Sequence, residues 1–249
     1  MGCILMRIIV VDNYEEMSKK AAIMVASQVI LKPDSVLGLA TGDTPIGMYR
    51  EIINIYKNQN LNFSKVKTFN LDEYYGLSKD NDQSYYYFMM NNLFHHVNID
   101  KDNINIPNGM MNDIEKECKE YESNIVKAGG IDLQILGIGV NGHIGFNEPG
   151  ESFEAETHLV NLDKKTIESN SRFFSSKDEV PTRAISMGIK TILHSKKIIL
   201  LACGQNKADA IFKTIKGKIT PNVPASILQL HKDVVVIVDK EAASKLDLK

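Results

Sequence analysis

Three observations predict an α/β fold with a mainly parallel central sheet. Short apolar runs alternate along the chain with stretches of helical periodicity. The runs, such as residues 198–203 and 234–238, are apolar throughout, as strands covered on both faces are. No linker, internal repeat or low-complexity segment divides the 249 residues, a length suited to one large domain.

The elements follow in order. Residues 7–11 read as a first, buried strand. Asp12 or Asn13 can cap the next helix, in which Met17, Ala21, Met24, Val25 and Val29 share a face. Pro33 stops that helix. Residues 36–40 are the second strand, after which Thr44 suits an N-cap and Pro45 a first helical position. Residues 66–70 are the third strand, and a helix is expected from about 83 to 94. Residues 104–109 form a short extended piece ending in a turn. Residues 113–127 carry acids early and a lysine late, as a helix dipole prefers, and Gly129-Gly130 ends them. Residues 131–138, 197–203 and 234–238 read as strands, 206–216 as a helix, and a last short helix is expected from about Lys240.

Composition narrows the function classes. With 29 basic and 31 acidic residues the net charge is −2, and no basic run exceeds two residues, so no nucleic-acid partner is expected. The apolar runs fall far below the ~18 residues of a spanning helix, so no membrane partner is expected either. Cys3, Cys118 and Cys203 are odd in number and widely spaced, which speaks against a disulfide framework and for a reducing cytoplasm. Metal ligation is not expected, since neither H-E-x-x-H nor C-x-x-C occurs. Met6 directly precedes the first strand, so residues 1–5 read as a leader or alternative start and 6–249 as the domain.

In parallel sheets ligands collect at the carboxyl ends of strands, so the loops there are the place to look. After the second strand comes Thr41-Gly42-Asp43-Thr44-Pro45, a helix N-terminus suited to phosphate. An ordinary βα turn looks the same, and the Asp43 carboxylate would repel a phosphate unless it points away. After the third strand stand Asp72 and Glu73. One could be a general base if burial raises its pKa. Residue types alone favour a solvated acidic turn or helix cap. Residues 137–150, Gly-Ile-Gly-Val-Asn-Gly-His-Ile-Gly-Phe-Asn-Glu-Pro-Gly, contain a formal G-x-G-x-x-G. Pro149 and Gly150 deny it the long helix a dinucleotide site needs. The loop instead offers His143 and Glu148 among glycines, an imidazole with a carboxylate to fix its tautomer. Lys207 lies where a helix begins and would welcome an anion, although it could also reach back to solvent. Arg172 is a second anion candidate, with a guanidinium fork suited to phosphate.

Together these loops resemble the glucosamine-6-phosphate deaminase family. The matching segments are 39–45, 68–74, Ser84-Tyr85-Tyr86-Tyr87-Phe88, 139–149, Asn170-Ser171-Arg172-Phe173-Phe174 and Val180-Pro181. They lie in family order and span nearly the whole chain from Met6. The resemblance implies a Rossmann-like three-layer domain, no metal and no cofactor. It implies conversion of glucosamine 6-phosphate and water to fructose 6-phosphate and ammonia in amino-sugar catabolism. By motif position Asp72 would move the proton between C2 and C1, and His143 would open the sugar ring, assisted by Asn141 and Glu148. Thr41, Gly42, Asp43, Thr44, Arg172 and Lys207 would hold the phosphate. Many relatives have aspartate at the place of Asn141, so here Glu148 is the motif's only carboxylate for the histidine. Asp43 stands where the family more often has a small residue, so its side chain is expected to turn out of the cradle.

Two alternatives are a 6-phosphogluconolactonase-like hydrolase and a non-catalytic sugar-phosphate sensor. The Asn147-Glu148-Pro149 continuation and Phe69-Asn70-Leu71-Asp72-Glu73-Tyr74 point away from the first. A sensor would usually carry a helix-turn-helix for DNA. Only residues 239–249 follow the last strand, so the chain resembles the family's short branch. Hyperbolic kinetics without allosteric activation are expected, in a monomer or small homo-oligomer.

Overall fold

The computed structural model describes residues 6–176 and 179–247; the suggested leader, with Cys3, lies outside them. Seven strands form one sheet, all paired parallel: β1 (Arg7–Val11), β2 (Val36–Leu39), β3 (Lys67–Asn70), β5 (Ile104–Asn105), β6 (Leu133–Leu136), β9 (Lys197–Ala202) and β10 (Val234–Asp239). Their spatial order is β1-β10-β9-β6-β2-β3-β5. From β2 the chain moves outward to β3 and β5, then returns to the other side of β2 with β6. The β2–β6 pair is therefore the switch point, where the loops diverge and leave a crevice.

The helices pack as their caps and apolar stripes dictate. α1 (Tyr14–Leu31) starts on Asn13, whose side chain accepts from the Glu16 amide. It buries Met17, Ala21, Val25 and Val29, while Met24 is half-buried. It packs on α2 (Ile46–Gln59). Ser84 caps α3 (Tyr85–Asn92) and Asp113 caps α4 (Ile114–Lys127). Gly129 and Gly130 end α4 at φ +91° and +78°, values that favour glycine. α6 (Ala208–Lys216) buries Ala208, Ala210 and Ile211.

Several expectations need correction. β1 is an edge strand with Val10 exposed, because only β10 pairs with it. Residues 240–245 form turns rather than a helix. The third strand does not end at a loop: after Leu71 the chain enters β4 (Asp72–Tyr74) of a second, antiparallel sheet, ordered β4-β8-β7. Its other members are β7 (His158–Asn161) and β8 (Arg183–Ser186). These strands are too short and too polar to show a clear period of two, so tertiary pairing decides them.

The amino-terminal ends of the sheet are clamped by one carboxylate. Asp132, just before β6, accepts from the Val36 amide at 2.8 Å, and from Lys196 at 2.7 Å and Lys32 at 3.0 Å. Burial pushes its pKa up, but Lys196, the Val36 amide and Lys32 outweigh that and hold it below the ordinary carboxylate value. Asp132→Ala should cost about 2–3 kcal/mol, the scale of hydrogen bonds to a charged group. In a thermal melt that is a fall of roughly 4–12 °C. A carboxylate held low in the fold stabilises above its unfolded pKa and loses that contribution as pH falls through the folded value. The gap between wild type and variant should thus stay constant from about pH 5 to 8 and close only below about pH 4.

Candidate active site

The carboxyl ends of β2, β3, β6 and β9 surround a cavity of about 360 Å³, whose lining includes Thr41, Asp72, His143, Arg172 and Lys207. That is ample for a hexose phosphate. The residues singled out in the sequence line the cavity except Glu73 and Glu148, and Glu148 bonds to Asn141 and His143, which do.

Asp72 and Glu73 are not a solvated turn. They are 6% and 3% exposed, and successive residues of β4 face opposite ways. Asp72 faces the cavity. Glu73 faces the start of α3, where its carboxylate accepts from the amides of Tyr74, Tyr85 and Tyr86 at 2.8–2.9 Å. Burial first, and the neighbouring Glu73 charge second, push Asp72 up to about 8. Burial also pushes Glu73 up to about 7, against the three amides that favour its charge. A buried carboxyl near neutrality suits proton transfer at carbon.

The glycine loop holds His143 by close approach. A Cβ on Gly139 would lie 2.4 Å from the imidazole Cε1, so only glycine leaves the ring its place. Glu148 Oε2 lies 3.1 Å from His143 Nδ1 and accepts from Asn141 Nδ2 at 2.8 Å. Asn141 Oδ1 accepts from the His143 amide at 3.2 Å. Asn141 thus serves the loop and the carboxylate, and Glu148 alone orients the ring. Burial pushes Glu148 up, yet His143, Thr166 and Asn141 together hold it below the ordinary value. The loop is pinned to β8: Ser186 Oγ accepts from the Phe146 amide, and Asn147 donates to Ile144 and Met187.

At the other end of the cavity α2 begins at Ile46, with Pro45 in the cap position and making no capping bond, while the Gly47 amide donates to Tyr14 Oη at 2.7 Å. Thr44 is therefore not the expected cap, since the helix starts one residue late. Gly42 has φ +88°, which turns the 41–44 loop over the cavity. Lys207 does not reach back to solvent: its Nζ donates to the Ile138 carbonyl at 2.7 Å, beside the cavity. Burial, then the Arg172 charge, hold its pKa below the ordinary lysine value. Asp43 does not turn away from the cations. Its Oδ2 lies 2.6 Å from Arg172 Nη2.

Two functional contacts carry no sequence signal. Thr166, on α5 (Lys164–Asn170), donates to Glu148 Oε1 at 2.5 Å. Asn170 donates to the Tyr74 hydroxyl at 2.9 Å, and Tyr74 stands against Tyr85, which lines the cavity and engages Thr41. Tyr85 and Asn170 lie within segments already matched, though without a role of their own there, whereas a threonine on a short polar helix matches no pattern.

The family model described as "Glucosamine-6-phosphate isomerases/6-phosphogluconolactonase" matches residues 14–237. The chain belongs to that family. It is 84% identical over 244 residues to the glucosamine-6-phosphate deaminase of Clostridium botulinum strain Kyoto, covering 98% of this chain and all of that one. The deaminase of Clostridium novyi strain NT is 70% identical over 241 residues, covering 97% and 100%. Among solved structures, a monomeric glucosamine-6-phosphate deaminase of the NagB superfamily superposes with TM-score 0.94 at 48% identity, over 96% and 99% of the two chains. The 6-phosphogluconolactonase of Thermotoga maritima has TM-score 0.75 at 21% identity, over 94% and 100%, and so shares the fold.

The Gly139 contact predicts a clean separation of structure and activity. Gly139→Ala should displace the imidazole from Glu148 and lower turnover by about 10²-fold, the scale of a 1 Å misplacement. Circular dichroism should show the fold retained.

Proposed function

We propose that the chain converts glucosamine 6-phosphate and water to fructose 6-phosphate and ammonia, using Asp72 as the base and His143 as the ring-opening acid–base. The observation that carries this reading is a buried carboxyl and an oriented imidazole sharing one cavity with two cations and a helix N-terminus. His143 moves a proton between the ring oxygen and the C1 hydroxyl, which yields the open aldehyde. Asp72 removes the C2 proton and returns it to C1, while a proton passes from the amine nitrogen to the C1 oxygen, leaving a C1 hydroxymethyl group and an imine at C2. Water adds to that carbon and ammonia leaves it, so the equation balances without an electron donor or acceptor. Glu148 steadies the imidazolium formed in transit. Arg172, Lys207 and the 41–44 amides bind the phosphate, far from the reacting carbons, and spend its binding energy on orientation.

The same reading makes residues 6–249 one catalytic domain acting on a small sugar phosphate. Near-neutral charge and widely spaced cysteines support a cytoplasmic enzyme with no nucleic-acid partner, working as a monomer or small homo-oligomer. Among the described residues no helix is long and apolar enough to cross a membrane.

Purified protein should release ammonia and fructose 6-phosphate from millimolar glucosamine 6-phosphate; hydrolysis of 6-phosphogluconolactone instead, or phosphate-ester binding without turnover, would overturn the proposal. Asp72→Asn should lower kcat by about 10²- to 10⁴-fold, the usual share of a general base. Because the base must be ionised, kcat/KM should rise with pH until Asp72 titrates at about 8. Glu73→Gln removes the neighbouring negative charge, so that limb should move to lower pH.

A further inference from the structure

The mouth of the cavity holds a group that an anion site does not call for. Asp43 lies in the loop before α2, at the end of the cavity where Arg172, Lys207 and the loop amides gather. Its backbone is pinned from outside: Tyr14 Oη donates to the Asp43 carbonyl at 3.0 Å and accepts from the Gly47 amide at 2.7 Å. The side chain is another matter. The carboxylate is 54% exposed and the Arg172 side chain 60% exposed, so their ion pair lies open to water.

We propose that Asp43 sets the affinity and selectivity of this site as an internal anion, its carboxylate holding the Arg172 guanidinium until a ligand's phosphate displaces it. The proposal rests on reading this end of the cavity as the phosphate site. The guanidinium fork accepts a carboxylate and a phosphate by the same two parallel hydrogen bonds, so the two compete for one geometry. Exchange is easy because the pair is exposed, and exposed ion pairs are weak. A neutral sugar brings nothing to exchange. A ligand carboxylate replaces one carboxylate by another and gains nothing on Arg172. A phosphate dianion gains, because its further oxygens reach Lys207 and the loop amides, which Asp43 Oδ2 on Arg172 leaves to it. The displaced carboxylate stays nearby and repels the bound dianion, so ligand and product are held loosely.

The test is calorimetric titration of the full chain with inorganic phosphate, for wild type, Asp43→Asn, Arg172→Ala and the double variant. Asp43→Asn should tighten phosphate by about three- to tenfold, the size of one weak ion pair plus relief of one repulsion. Arg172→Ala should weaken it. In the Arg172→Ala background the Asp43→Asn gain should fall below about twofold, since the two substitutions share one contact. KM for glucosamine 6-phosphate should fall with the phosphate Kd in Asp43→Asn. Asp43→Ser, with thermal melts of all variants, guards against a folding artefact and should give the same gain. Unchanged or weaker phosphate binding in Asp43→Asn would overturn the proposal, and so would an equal gain with and without Arg172. If Arg172→Ala and Lys207→Ala both leave phosphate binding as in wild type, the phosphate-site reading itself fails and takes this one with it.

Discussion

Everything functional in this molecule depends on seven strands running the same way. A parallel ladder sends every strand's carboxyl end to one edge, so loops distant in sequence meet there without being designed to touch. Thr41 follows β2, Asp72 follows β3, His143 follows β6 and Lys207 follows β9. The opposite edge is free for structural work, and Asp132 occupies it with two lysines and a backbone amide. One edge holds a carboxylate saturated with donors; the other leaves room for one that is not.

That contrast recurs inside the site, between Asp72 and Glu148. Asp72 is buried and Glu148 partly so, and burial pushes both up. Glu148 receives bonds from Asn141 and Thr166 and faces His143, so its charged form prevails. Asp72 has no such shell and sits beside a second carboxylate, so its neutral form is favoured up to about pH 8. The environment thereby separates two chemically similar groups into an orienting anion and a proton acceptor of useful basicity. Glu73 contributes twice: it anchors α3, which presents Tyr85 to the cavity, and its charge acts on Asp72.

Most of the central sheet was legible because buried parallel strands are continuous apolar runs, and 197–203 and 234–238 leave no other reading. A cap at Asp12 or Asn13 was legible for a local reason, and Asn13 bonds the amide three residues on, whereas Asp113, read as the start of its helix, is in fact its cap. The second sheet was not. Asp72-Glu73-Tyr74 and Arg183–Ser186 pair across 110 residues, and nothing local in two carboxylates announces a strand. For the same reason their burial was misjudged: a residue type reports its usual surroundings, and here pairing with β8 imposes unusual ones. Candidate residues carried by local motifs were found, among them His143 with Glu148. Thr166 was missed, and Asn170 matched without a role, because their partners are 18 and 96 residues away in sequence.

The two ends of the cavity also differ in how tightly they are built, and the difference follows from what each must do. At the reacting end, groups are fixed by backbone and buried bonds: Gly139 leaves no slack around His143, and Asn147 and Ser186 tie its loop to β8. At the end where we propose that the phosphate binds, two exposed side chains, Asp43 and Arg172, meet. Rigid placement matters where bonds change, because an error of 1 Å there is costly. A charged handle tolerates looseness, because Coulomb attraction falls slowly with distance and a pair that breaks easily lets product leave. The residues 164–173 join the ends: Thr166 grips Glu148, Asn170 grips Tyr74, and Arg172 waits at the mouth. On the proposed reading, a phosphate that draws Arg172 from Asp43 would act on the same segment that steadies Glu148, which would link binding at one end to alignment at the other.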